Sequence, residues 1–152
     1  MMRRRLVELF DRLGHVPLAL HQLLFRLAVA ALFLRAGLTK VASWEPTVAL
    51  FREEYRVPIL SPEIAAVTAS IVEVGCSVLL IVGLATRLAT LPLLAMLLVI
   101  QLFVYPYAWP EHLVWGSILL FLLTRGPGTI SVDHLLAPAL RLESVGNDRA
   151  PR

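Results

Sequence analysis

The sequence predicts an all-α membrane protein, a four-transmembrane-helix bundle with an amphipathic helix at the interface between spans one and two. Three observations predict it. Of 152 residues, 58% are hydrophobic and only 16% charged, whereas a soluble chain carries about a quarter charged residues. That much apolar surface exceeds what a core of this size hides, so lipid must cover the rest. The apolar residues also fall into four runs separated by short polar connections, and backbone crossing lipid must satisfy its own hydrogen bonds within helices.

The expected spans are approximately 18–40, 63–85, 88–105 and 110–125, within one membrane domain covering 1–142 and followed by a flexible tail at 143–152. Roughly 20 residues cross a bilayer at 1.5 Å per residue. The fourth run, "EHLVWGSILLFLLT", is short and needs thinned lipid or an extension through Pro110. "GLATR" between spans two and three is too short for anything but an antiparallel hairpin. The first run is expected to remain as an uncleaved span, because Arg26 interrupts what a signal peptide would need as its apolar stretch.

Between spans one and two, Trp44, Val48, Phe51 and Tyr55 recur at helical spacing, with Arg52, Glu53, Glu54 and Arg56 on the other faces. This predicts a helix lying in the interface, entered through Pro46 and stopped by Pro58. "SVDHLLAPALRLE" predicts a second such helix, with Ser131 as its N-cap.

The net charge is +3. The basic residues cluster at membrane edges and form no nucleic-acid surface: Arg3, Arg4, Arg5 and Arg12 precede the first span, and Arg125, Arg141, Arg149 and Arg152 follow the last. With Arg87 in the tight turn, the bias predicts cytoplasmic N and C termini. The expected partner is the lipid bilayer; no nucleic acid is expected. The one cysteine, Cys76, excludes an internal disulfide or a CxxC pair and reads as a small packing residue.

Glu73 lies inside the second span, ten residues from its outer end, or ~15 Å by helical rise. Such a charge costs about 2.5–3.5 kcal/mol at the bilayer centre, so it should face inward and pair. Arg35, ~7 Å below Lys40 on the same reckoning, is the expected partner. Gln101, His112 and Trp115 approach the same outer half from spans three and four. The ligand or proton site candidates are therefore Glu73, Arg35, Lys40, Gln101, His112 and Trp115, lining an outward-facing cavity. A purely structural ion pair that sets helix register remains the alternative. Arg26 reads as a residue snorkelling to the cytoplasmic boundary. Trp44, Trp109, Trp115, Tyr105 and Tyr107 read mostly as an aromatic belt. No metal-ligand spacing or haem, flavin or iron–sulfur motif occurs, so no metal site and no covalently bound cofactor is expected.

"RAGLTKVASW", "IVEVGCSVLLIVGLATR" and "RGPGTISVDHLL", in this order and at these spacings, resemble the DoxX family of small bacterial membrane proteins over roughly Leu23 to Leu136. The segment "QLFVYPYAWPEHLVWG" is similar to one branch of that family, sometimes linked to copper-handling peptide systems. The residues matching the family's motifs are Arg35, Gly37, Lys40, Glu73, Gly83, Arg87, Gly126, Gly128, Ser131 and Asp133. What the resemblance implies is a four-helix membrane bundle often called an oxidoreductase subunit, tied in some relatives to quinone-linked thiosulfate oxidation and in others to oxidative-stress complexes. The expected function is thus an accessory subunit of a membrane redox or stress-response complex with a quinone as the possible ligand, beside a redox-complex or metal-handling partner protein. The alternative is a non-catalytic transport, metal-handling or chaperone-like membrane protein. The residues themselves decide neither catalysis nor substrate.

Overall fold

A computed structural model describes residues 5, 14–58 and 60–138. Four longer helices account for most of them: α1 (Leu18–Ala42), α3 (Pro62–Val82), α4 (Thr86–Val99) and α5 (Trp109–Arg125), with a short α2 (Trp44–Leu50) after α1. No strand occurs among the described residues. The tail expected at 143–152 and the basic residues Arg3, Arg4, Arg12, Arg141, Arg149 and Arg152 lie outside them.

Local chemistry explains the boundaries. At the start of α3, Ser61 accepts the Ile64 N–H on its side chain, and Pro62 takes the first turn, where a missing N–H costs nothing. The helix ends at Gly83, which is left-handed with φ 75°, and the Leu84 N–H reaches back to the Leu79 carbonyl. Ala85 is also left-handed, at φ 48°, and α4 begins one residue later. The expected hairpin forms in this way.

Three helices are long and apolar enough to cross a membrane: Leu18–Ala42, Pro62–Val82 and Thr86–Val104, the last counting a π-helical turn, Ile100–Val104, that continues α4. The fourth, α5, has 17 residues and begins at Trp109, with Pro110 in its first turn. It shares the core with the others: Leu119 and Leu122 pack with Val29, Ala30 and Phe33 of α1, Leu80 of α3 and Leu93 and Leu97 of α4. Phe25 meets Phe121 edge-to-face at 5.2 Å, tying α1 to α5.

Small residues draw α1 and α3 closest together. Gly37 lies so near α3 that a Cβ there would sit 2.8 Å from Val74 Cγ2 and 2.9 Å from Glu73 Cβ. Ala30 on α1 and Ala66, Ser70 and Ser77 on α3 are buried as well. Close approach through small residues is how helices associate without a hydrophobic drive between them.

The connection after α1 is helical over the stretch expected, Trp44 to Tyr55. After α2 it tightens into a π-helical turn, Phe51–Tyr55, and stops at left-handed Arg56. Its apolar face is only partly available to lipid, because Phe51, Val48 and Tyr55 pack on Ala65 and Ala66 of α3. After α5, residues 132–138 are helical. Ser131 caps them as expected, its Oγ accepting the His134 N–H at 3.2 Å; the rest of that expected helix lies outside the described residues.

Candidate functional site

The α1 residues Gln22, Arg26, Val29, Ala30, Phe33 and Gly37 are buried, each three or four residues from another of the set, and Lys40 continues the series. Such spacing places them on one face of a helix. The face meets Glu73 at Gly37, and Lys40, one turn further on, closes over the carboxylate. Lys40 Nζ donates to both Glu73 oxygens, at 2.7 and 2.8 Å. The Glu73 side chain is 4% exposed and that of Lys40 18%.

Glu73 is thus paired and inward-facing, but its partner is Lys40 and not Arg35. Arg35 is exposed. It stands two residues from Gly37, about 200° around the helix at 3.6 residues per turn, and so points away from α3. Depth along the axis brought Arg35 within a side chain's reach of Glu73; rotation about the axis excludes it.

The ion pair borders a cavity of about 350 Å³ between α3 and α4. Ala65, Ala69 and Val72 of α3 face Pro92, Met96 and Val99 of α4 across it, and both π-helical turns contribute, through Phe51 and Tyr55 on one side and Ile100 and Val104 on the other. Such turns are frequent at functional sites. At the end holding the 43–61 connection, Tyr55 lies edge-on to Phe51 at 5.0 Å and to Tyr105 at 5.7 Å. The Tyr105 hydroxyl donates to Glu54 Oε1 at 2.8 Å. Tyr55, partial burial and the Glu54 carboxylate together raise the Tyr105 phenol above its ordinary pKa, so it remains a neutral donor across the physiological range.

The remaining candidates form a separate group. His112 Nδ1 donates to Gln101 Oε1 at 2.6 Å, and Gln101 Nε2 donates to the Pro106 carbonyl at 2.8 Å. Trp115 lies 5.5 Å from the His112 ring and edge-on to Phe33 at 6.5 Å. Gln101 and His112 secure the α4–α5 connection, Trp115 reaches Phe33 of α1, and none of the three lines the cavity with Glu73. His112 is buried. Trp115 belongs to the packing rather than to a belt. Among the described residues no three His, Cys, Asp or Glu side chains come together as a metal-binding group.

At the opposite end of the molecule the motif residues Gly83, Gly126, Gly128, Ser131 and Asp133 build a knot with Arg26 and Gln22. Arg26 is 1% exposed; its guanidinium donates to the carbonyls of Pro127 (3.0 Å), Ile130 (2.9 Å) and Ile81 (3.4 Å). It does not snorkel, because its guanidinium is spent on these backbone carbonyls inside the bundle. Gln22 donates to the Arg125 and Gly126 carbonyls. Asp133 accepts the Ala85 and Thr86 N–H groups at 2.7 and 3.0 Å, serving the orphan donors at the start of α4. A Cβ on Gly83 would meet Arg26 Nη1 at 2.5 Å and Ser131 Cβ at 2.7 Å. Arg87, at the rim, reaches the Thr124 carbonyl. Gln22 and Arg26 were missed as partners; the inward face they share with Phe33 and Gly37 was the signal that pointed to them.

The DoxX family model matches residues 21–106, more than half of the chain. The chain belongs to the DoxX family. The matched stretch contains Arg35, Gly37, Lys40, Glu73, Gly83 and Arg87, whereas Gly126, Gly128, Ser131 and Asp133 lie beyond it. No curated protein and no solved structure matches the chain. With its three apolar helices, this DoxX protein is a membrane protein.

Proposed function

We propose that this DoxX protein is a four-span protein of the bacterial inner membrane, with both termini in the cytoplasm. In this reading it serves as an accessory subunit that holds a quinone for a membrane redox or stress-response complex. The observation that carries the proposal is the Lys40–Glu73 pair bordering a mostly apolar cavity. A quinone ring suits apolar walls, its carbonyl oxygen suits the Lys40 ammonium, and Glu73 is placed to accept a proton. The quinone supplies the redox chemistry; the chain binds, orients and excludes water.

Titrating a decyl-tailed benzoquinone into the purified protein should give saturable one-site binding. The double variant Lys40→Met/Glu73→Met keeps apolar volume and should bind at least tenfold more weakly, since a hydrogen bond from a charged donor contributes about 1.5–3 kcal/mol. Absence of saturable binding to the unaltered protein overturns the quinone reading. Binding that survives in the double variant removes the pair from the site.

The orientation has its own test. In a Cys76→Ser background, a cysteine in place of exposed Glu45 should react with a membrane-impermeant maleimide in intact cells. One in place of exposed Thr129 should not. The reverse pattern turns the protein over and opens the cavity end to the cytoplasm.

A further inference from the structure

We infer that the cavity loads sideways from the bilayer, through a gap between Thr68 of α3 and Ala95 of α4, and that its ligand is a neutral single-tailed amphiphile. This rests on reading the cavity as a ligand site and adds the route and the ligand class. Of the α3 and α4 residues on the wall, Ala65 and Glu73 are buried and Ala69, Val72, Pro92 and Met96 half-buried, whereas Thr68 and Ala95 are exposed. Both are small. Each therefore lines the cavity and reaches the outer surface of the bundle at once.

Depth decides what lies outside the gap. Thr68 is six residues into α3, ~9 Å by helical rise, and Ala95 is nine residues before Val104, ~13 Å. Both depths fall within a hydrocarbon layer about 30 Å thick, so the gap opens on acyl chains. The end route, where Leu60 and Tyr105 are exposed, is crossed by Phe51, Tyr55 and Tyr105, edge against face, with Tyr105 hydrogen-bonded to Glu54.

Volume and charge narrow the ligand. About 350 Å³ lies at the low end of small-molecule pockets, which run to about 1,000 Å³. The cavity takes a head and a short stub, and a long tail passes out through the gap. Lys40 and Glu73 sum to zero. An anionic head would be set against the Glu73 carboxylate and a cationic one against Lys40, each leaving a charge uncompensated away from water. A neutral carbonyl or hydroxyl head avoids both.

The test needs no ligand. Protein carrying Cys76→Ser and Val72→Cys is reconstituted into phosphatidylcholine vesicles and treated with N-dodecyl maleimide or with a sulfonated, impermeant maleimide. The cavity thiol should react at least tenfold faster with the alkyl reagent, and adding Ala95→Trp should slow that reaction tenfold or more. Thr68→Trp should do the same from the facing helix, which guards against one bulky variant misfolding. Faster reaction with the impermeant reagent, unaffected by either tryptophan, overturns the lateral route in favour of the end route. No reaction with either reagent overturns it as well, since the cavity is then closed. If lateral labelling succeeds while the quinone titration fails, the route stands and the quinone reading falls. If the quinone binds but lateral labelling fails, the converse holds.

Discussion

Lys40→Ala is expected to destabilise the protein by about 3–5 kcal/mol, the usual cost of stranding one member of a buried ion pair. Glu73→Ala should cost less, because the Lys40 side chain is 18% exposed and keeps part of its hydration, while the Glu73 side chain is 4% exposed. The Lys40→Met/Glu73→Met double variant should recover most of the loss, since packed apolar groups replace a buried pair at little net cost. Arg35→Ala should change stability by no more than about 0.5 kcal/mol, as an exposed position without a partner does. Thermal unfolding in detergent measures all four. Additive losses in the double variant would show that the two charges do not depend on one another. A large loss at Arg35 would restore it as the partner. Ligand binding should not return with stability, and that separates a site from a structural clasp.

The second large effect belongs to the knot at the other end. Arg26→Leu removes the donor to three backbone carbonyls. It is expected to cost about 3–5 kcal/mol, because hydrogen bonds from a charged group contribute about 1.5–3 kcal/mol each and the carbonyls left behind are partly buried. Gly83→Ala should approach this without touching Arg26 chemically: left-handed backbone costs a non-glycine residue about 1–2 kcal/mol, and the new methyl displaces the guanidinium. Hydrogen exchange should localise the damage. Amides of residues 126–138, above all Asp133 N–H on the Gly83 carbonyl, should lose protection while those of α3 around Glu73 retain it. Unchanged exchange in Arg26→Leu would mean that Asp133 and Gln22 suffice to hold the segment. Quinone binding should survive in folded variants, because the knot and the cavity occupy opposite ends.

The sequence by itself determined the helices and the need for an inward, paired Glu73. Those follow from local quantities: apolar runs, the Ser-Pro start of α3, the glycine that ends it, and the cost of a lone charge in lipid. It also placed Arg35 and Lys40 at nearly the right depth, because rise per residue is constant along a helix. Only the tertiary structure decided between them. That choice depends on the rotation of α1 against α3, which the contact at Gly37 sets. The same holds for Gln101 and His112. Depth put them near Glu73, but their hydrogen bond to one another and the π-helical turn before Tyr105 turn them to the α4–α5 connection. Arg26 shows the converse. Its charge predicted an escape to the headgroups, and only a loop folded back from more than 100 residues away brings two of the three carbonyls that make burial the cheaper state, the third being that of Ile81 on α3.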